Sequence, residues 1–205
     1  DRWSSTPDDG SWGEALEAAM EIGAATEFTE TTWMIPTMIL PMPSVSNYDE
    51  THQAVFDVGR PHSLCVNRNG DRFVDETTAY DRFGNGMLDD HLKTGANAPC
   101  WMIFDDTFRA KFPAGGFLPK AIMPDRKIPQ GWWDHYIFKA DTVAGLAAKI
   151  GIDPKKLEQT VGNMNAYARN GVDPEFDRGG DLYDQAFGDP SVKPNPCLGS
   201  VDKAP

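Results

Sequence analysis

The chain has 205 residues, 40% of them hydrophobic and 24% charged, which is a globular composition able to bury a sizeable core. The net charge of −12, from 19 basic and 31 acidic residues, argues against binding to nucleic acids or to anionic membranes. No apolar run approaches the roughly 20 residues that span a bilayer, and the first residues do not predict a signal peptide.

The cysteines and histidines do not predict a metal site. Cys65, Cys100 and Cys197 are odd in number, far apart and in no C-x-x-C pair, so a zinc site or a disulfide framework is not expected. We predict that they are small buried apolar residues in a protein of the reducing cytoplasm. Metal-ligand spacing is also missing among the four histidines, which are His52, His62, His91 and His135.

The N-terminal third predicts one helix followed by irregular chain. A helix is predicted over residues 11–25, because its apolar residues fall on one face: Trp12, Ala15, Ala19 and Ile22. Residues 33–61 contain four prolines and few periodic signals, which indicates extended segments and loops.

A hairpin is predicted next. Residues 63–67 have strand-like composition, and residues 72–74 are the predicted return strand. Between them Asn69 and Gly70 tolerate the positive φ of a tight turn.

The middle of the chain predicts a helix and a buried strand. Residues 80–93 place apolar side chains on one side, although Gly84 and Gly86 lower the helix propensity, so that packing must hold this helix. Residues 100–104 form a short apolar run typical of a buried strand, and a short helical turn over residues 106–112 follows.

Two helices with clear end signals come late in the chain. Asp141 and Thr142 can cap a helix that stops at Gly151. Asp153, followed by proline, opens a second helix that ends at Gly171.

After Pro174 the periodicity ends. Residues 175–205 are rich in glycine and proline and predict an irregular connecting arm. A domain rarely finishes on thirty residues of loop, so we predict that the chain is truncated.

Five stretches carry a resemblance to a known family. Residues 59–76 (GRPHSLCVNRNGDRFVDE) and 100–109 (CWMIFDDTFR) resemble a hairpin and a strand of the fumarate reductase/succinate dehydrogenase flavoprotein superfamily. Within it, residues 80–84 (YDRFG), 139–149 (KADTVAGLAAK) and 171–179 (GVDPEFDRG) are similar to the 3-ketosteroid Δ1-dehydrogenases.

The resemblance implies an α+β fold, namely the substrate-capping domain of a two-domain FAD-dependent oxidoreductase. We predict that the FAD domain is absent, because no G-x-G-x-x-G fingerprint occurs in the chain. The implied division is an N-terminal arm over residues 1–58, a capping domain over 59–174 and a C-terminal arm over 175–205. FAD is expected in the full-length protein and not in these residues alone.

The resemblance also supplies candidate catalytic residues. Tyr80 matches a tyrosine that assists proton removal beside a ketone, although it can equally be an aromatic residue packed at a helix start. In the soluble fumarate reductases an arginine of the cap delivers the proton to the substrate, and Arg109 follows the Ile-Phe-Asp strand at a similar distance along the chain. The alternative is that Arg109 is a solvated helix residue. Glu76 occupies the family's carboxylate position and can orient neighbours or relay protons; the alternatives are a surface position or a salt bridge.

The predicted function is dehydrogenation of a 3-ketosteroid-like or other hydrophobic enone. The alternatives are a fumarate reductase/succinate dehydrogenase activity and a non-catalytic binding module. The predicted partners are a hydrophobic small molecule and the missing FAD domain, with self-association through exposed arms. Four aromatic residues could line an apolar pocket that fits a sterol, or could cover the pair of helices predicted between residues 141 and 171; they are Trp132, Trp133, Tyr136 and Phe138.

Overall fold

The computed structural model describes residues 12–27, 33–41 and 51–205. In these ranges the helices are α1 (Glu14–Glu21), α2 (Tyr80–Thr94), α3 (Asp106–Lys111), α4 (Val143–Ile150), α5 (Pro154–Asn170) and α6 (Leu182–Ala186). The strands are β1 (Thr37–Ile39), β2 (Thr51–Gln53), β3 (Ser63–Val66) and β4 (Trp101–Phe104). β1 pairs with β2 and β3 pairs with β4, both antiparallel. No helix in the described ranges is long and apolar enough to cross a membrane.

The main core lies where α4 and α5 pack on the β3–β4 sheet. The apolar side of α5 is fully buried and consists of Leu157, Val161, Met164 and Ala168. Thr142 caps α4 by accepting a hydrogen bond from the amide of Gly145 at 3.0 Å. Both helices end at a glycine in the left-handed region, Gly151 and Gly171. The predicted helical pair is confirmed.

The first strand of the predicted hairpin forms, but it does not pair with the predicted return strand. β3 forms, and the turn after it closes through a 2.9 Å hydrogen bond from the amide of Asn67 to the carbonyl of Asp71. Residues 72–74 nevertheless form no strand, and β3 pairs with β4 instead. The physical reason is that Arg72 turns its guanidinium inward to Glu76 and Asp173, at 2.8 Å from each, so the chain leaves the sheet.

α2 confirms the predicted helix, and tertiary packing explains its glycine. A Cβ atom on Gly84 would stand 2.3 Å from the Cβ atom of Met34, so only glycine lets the helix approach that segment. Phe83 is buried beside it. The outer apolar residues Leu88 and Leu92 are exposed, in contrast to the predicted apolar side.

The N-terminal helix is shorter than predicted. α1 covers Glu14–Glu21, none of its residues is buried, and Ile22 just beyond it is 89% exposed. Ser11, the predicted start, lies outside the described residues. The region predicted as extended segments and loops contains the short strands β1 and β2 and the 3-10 turn Ala54–Phe56, with residues 42–50 outside the described ranges.

A second apolar cluster contains most of the aromatic group whose role was open. Trp132 is buried with Phe108 and Phe117, and its ring meets that of Tyr136 edge to face at a centroid distance of 5.2 Å. Phe138 packs edge to face on Trp101, at 5.4 Å. The structure therefore favours packing over a pocket, although the cluster around Trp132 contains no residue of α4 or α5, so these aromatics do not cover the helical pair as predicted.

The C-terminal segment is irregular, as predicted, apart from α6, and it is also part of the core. Leu198 and Val201 are buried against the β3–β4 sheet and α5. Asn165 of α5 fixes this segment by accepting a hydrogen bond from the Val201 amide at 2.7 Å. Glycine and proline content predicts the absence of regular backbone, whereas burial depends on the apolar residues between them. The division at residues 58 and 174 stays a prediction.

Candidate active site

Tyr80 stands at the edge of a small cavity. It is the first residue of α2, it is half-buried, and its hydroxyl has no hydrogen bond to any other residue in the described ranges. The cavity has a volume of about 10 Å³, and its lining comprises Val55, Val58, Glu76, Thr77, Thr78, Tyr80, Tyr183 and Phe187. Tyr80 and Glu76, two of the predicted site residues, are therefore brought together.

An exposed apolar surface adjoins this cavity, and we call it the aromatic rim (Phe56, Leu182, Tyr183 and Phe187). Phe56 is 62% exposed, Leu182 85% and Tyr183 44%. The Phe187 ring lies 6.1 Å from that of Phe56 and 5.3 Å from that of Tyr183. Such a surface suits a flat apolar ligand, since aromatic rings provide large contact areas at little cost in conformational entropy.

Glu76 is a buried carboxylate between two arginines. It accepts hydrogen bonds from Arg72 at 2.8 and 3.0 Å, from Arg178 at 3.1 Å and from the amide of Cys65 at 3.0 Å. Burial alone would raise its pKa, but Arg72 and Arg178 hold the pKa at about 2. Glu76 is therefore ionised at neutral pH and forms salt bridges, which was one of the predicted alternatives.

Sequence reasoning missed Arg178, whose side chain is fully buried. It donates hydrogen bonds to the carbonyl oxygens of Gly59, Arg60 and Ser63, at 2.9–3.1 Å, in addition to Glu76. One signal could have identified it. Arg178 is the only basic residue between positions 171 and 192, a segment with six acidic residues.

Arg109 lies in the second apolar cluster. Its guanidinium donates to the carbonyl oxygens of Leu118, at 2.7 Å, and of Met123, and it stacks over Phe117 at 5.1 Å. Asp125 lies 3.4 Å from it. Arg109 is 6% exposed, so it is not a solvated helix residue, and the cavity beside Tyr80 does not include it among its lining residues.

Asp75, next to Glu76, is a second titratable group near Tyr80. Burial is the main reason that its pKa is raised to about 6, and the carboxylates of Asp184 and Glu76 contribute to that rise, against the lowering effect of hydrogen bonds from Thr77.

The cysteines behave as packed apolar residues. Cys65 and Cys197 are buried, Cys100 is half-buried, and all three are free. Burial raises the pKa of Cys100 to about 12 and that of Cys197 to about 11, so these thiols stay protonated at neutral pH. In the described ranges no group of three or more histidine, cysteine or acidic residues could hold a metal ion.

A larger cavity, of about 340 Å³, opens beside α5. Its lining carries charges of both signs and comprises Asp71, Arg72, Lys156, Gln159, Thr160, Asn163, Glu175 and Phe176. The two cationic side chains of this lining, Lys156 and Arg72, are already paired with Asp71 and Glu175 and so are not free to bind a pyrophosphate. The cavity beside Tyr80 is far too small for a flavin. Neither cavity is therefore built to hold FAD.

Known proteins are similar to the chain along nearly its whole length. A family model described as FAD binding domain matches residues 1–202. The 3-oxosteroid 1-dehydrogenase of Mycobacterium tuberculosis is 35% identical over 198 residues, which are 94% of this chain and 33% of that protein. The fumarate reductase (cytochrome) of Shewanella frigidimarina is 29% identical and covers 85% of this chain and 26% of its own length.

A solved structure shows the same fold. The 3-ketosteroid Δ1-dehydrogenase of Sterolibacterium denitrificans, in complex with 1,4-androstadiene-3,17-dione, is 37% identical with a TM-score of 0.86. The match covers 99% of this chain and 35% of that one. The chain thus spans about a third of the length of the curated relatives it matches.

These matches correct one prediction and confirm another. The predicted fold class, an α+β substrate-capping domain with the FAD domain absent, is wrong, since the FAD binding domain model matches residues 1–202. The missing FAD domain is not supported as a partner for the same reason. The physical reason is that G-x-G-x-x-G marks a single phosphate-binding turn, and its absence tells nothing about the other residues of a family. The predicted flavoprotein superfamily is confirmed, and the chain belongs to the family of the FAD binding domain, whose cofactor is FAD.

Proposed function

We propose that the full-length protein is an FAD-dependent dehydrogenase of a 3-ketosteroid-like or similar hydrophobic enone. One observation carries the proposal: Tyr80, whose hydroxyl has no hydrogen bond to another described residue, lines the same cavity as Tyr183 and Phe187 of the aromatic rim. A flat apolar substrate on the rim would place a carbon atom next to this hydroxyl. Similarity to a 3-oxosteroid 1-dehydrogenase over 94% of the chain supports the same substrate class.

The role proposed for Tyr80 is proton removal from the carbon next to the ketone. Desaturation at that position also removes a hydride from the neighbouring carbon, and FAD supplies that redox chemistry when it is bound. Because neither described cavity fits FAD, no step through the flavin is derived from these residues. Glu76 is proposed to orient the segment before Tyr80 rather than to relay protons, since its carboxylate is already bound by two arginines.

The alternative is reduction of fumarate or oxidation of succinate, with Arg109 as the proton donor. The relative from Shewanella favours it, whereas the contacts of Arg109 do not. A guanidinium that already donates to the Leu118 and Met123 carbonyls has to break those bonds before it can bind a carboxylate. We therefore propose a structural role for Arg109.

We also propose a reducing, cytoplasmic location. The three cysteines of the chain are all free, and none is fully exposed. Buried thiols of this kind are typical of proteins that do not meet an oxidising compartment.

Anaerobic reduction of the flavin tests the substrate class and Tyr80 together. We expect androstenedione to bleach the flavin absorbance of the full-length protein and succinate to leave it unchanged. Tyr80→Phe should slow the bleaching about 100-fold or more, as loss of a general base does. Tyr167→Phe, which removes a hydroxyl bonded to Glu175 outside the rim, is the matched control.

Three results would contradict the proposal. Bleaching by succinate alone would favour the Arg109 chemistry. A Tyr80→Phe enzyme that reduces its flavin at the rate of the control would remove Tyr80 from the mechanism. A full-length protein that carries no flavin would favour a binding module.

A further inference from the structure

Arg178 binds two segments that lie 102 to 119 residues before it in the chain. Its Nη1 donates to the carbonyl oxygen of Ser63 at 2.9 Å and to Glu76 Oε2 at 3.1 Å. Its Nη2 donates to the carbonyl oxygens of Gly59 at 3.1 Å and of Arg60 at 2.9 Å. One guanidinium therefore fixes the loop over residues 59–63 and the turn that precedes α2.

The walls of the cavity beside Tyr80 all continue from these contacts. Val55 and Val58 immediately precede the loop that Arg178 binds, and Tyr80 follows Glu76 by four residues. Tyr183 follows Arg178 itself, and the α6 segment that carries it is tied back by a 3.1 Å hydrogen bond from the Gly179 amide to Asp184. Moving Arg178 would shift all the walls relative to one another.

We propose that Arg178 is a positioning residue that sets the distance between Tyr80 and the aromatic rim. The inference rests on the function proposed above and assigns to Arg178 the geometry of that site. Arg178 is not among the residues that line the cavity, so it acts on the cavity through the segments it holds. A displacement of about 1 Å at a reacting centre can lower a rate about 100-fold, so this control is functionally significant.

Arg178 differs from the neighbouring buried Arg72 in the type of partner. Arg72 binds the carboxylates of Glu76, Asp173 and Glu175, and it mainly balances charge. Arg178 binds one carboxylate and three backbone carbonyls, which fixes chain positions rather than charge. A planar guanidinium directs its donors along fixed lines, whereas the ammonium of lysine has fewer donors and no such geometry.

Arg178→Lys in the full-length enzyme separates positioning from stability, because it keeps the charge. We expect kcat/KM for androstenedione to fall about 100-fold, through a lower kcat and a raised KM, with unchanged flavin content. Leu157→Ala is the control, since it destabilises the main core without touching the Tyr80 side. When each variant is assayed roughly 15–20 °C below its own melting temperature, so that all are folded, Leu157→Ala should keep the kinetics of the wild type.

Hydrogen exchange provides a readout that does not depend on the substrate. In Arg178→Lys we expect faster amide exchange in residues 55–60, 76–80 and 179–187 together, and wild-type exchange in those residues for Leu157→Ala. Wild-type exchange and wild-type kinetics in Arg178→Lys would overturn the inference. If androstenedione does not reduce the wild-type flavin, the proposed function fails. Faster exchange in the same residues would then still support the positioning role, and unchanged exchange would overturn it.

Discussion

Glu76 shows how burial and pairing oppose each other at a single carboxyl. Its side chain is 1% exposed, and Arg72 and Arg178 keep it ionised. The sequence motif predicted the position of this carboxylate but not its partners. Arg72, four residues away, could have been inferred from spacing, whereas Arg178 is 102 residues away and only the tertiary fold brings it near.

Acid should therefore remove part of the stability through Glu76. Its pKa is lowered from 4.5 to about 2 in the folded state. A depressed folded pKa stabilises the fold above about pH 4.5, and this contribution, of order 3 kcal/mol, is lost as pH falls towards 2. Glu76→Gln should lower the free energy of unfolding by about 3–5 kcal/mol at pH 7, because it leaves buried arginines less compensated. Between pH 4.5 and 2, the free energy of unfolding of the Glu76→Gln variant should fall less steeply than that of the wild type.

Urea unfolding of the full-length protein at pH 7, 4.5 and about 3 measures this difference. Glu158→Gln, at an exposed carboxyl of α5, is the control and should change stability by less than about 0.5 kcal/mol. Equal losses of unfolding free energy in Glu76→Gln and Glu158→Gln would contradict the stabilising role of the buried pairs between Glu76 and the two arginines.

At the scale of the element, helices with local end signals were predictable and strand pairing was not. α4 and α5 begin at Thr142 and Asp153 and end at glycine, so their limits are encoded within a few residues. The partner of β3 is encoded nowhere locally. It depends on Arg72 leaving the sheet for acidic partners, one of which, Asp173, lies 101 residues further along the chain.

Two adjacent residues are candidates for the N-terminal cap of α4. Sequence alone allows either Asp141 or Thr142, and the structure assigns the cap bond to Thr142. Thr142→Ala should lower the free energy of unfolding by about 1 kcal/mol, because the Gly145 amide loses its acceptor. Asp141→Ala should change it by less than about 0.5 kcal/mol. Chemical unfolding of both variants provides the measurement, and a larger loss for Asp141→Ala would reverse the assignment.

At the scale of the whole molecule, the C-terminal segment completes the main core. Sequence motifs predicted the superfamily because they are short and local. They did not predict that an irregular segment would be buried, since glycine and proline content describes the backbone and not its packing. Leu198 is 1% exposed against the β3–β4 sheet and α5, although it lies in a stretch without regular structure.

Two leucines of this segment, one buried and one exposed, test whether burial decides how much a side chain contributes to stability. Leu198→Ala should cost about 2–5 kcal/mol of stability, because it removes a buried side chain and leaves a cavity. Leu182→Ala, at a residue that is 85% exposed, should cost less than about 0.5 kcal/mol. Thermal unfolding of the full-length variants checks both values. Similar melting temperatures for the two would mean that the segment does not pack on the core.

The separation between Glu76 and Arg178 also sets an order of events during protein synthesis. At about 5–20 residues per second, a ribosome adds the intervening 102 residues in roughly 5–20 s. During that time Arg72 is the only one of the two arginines that the nascent chain can offer to Glu76. Burial of the carboxylate, and with it the arrangement of the segments around Tyr80, must therefore wait until Arg178 has left the exit tunnel.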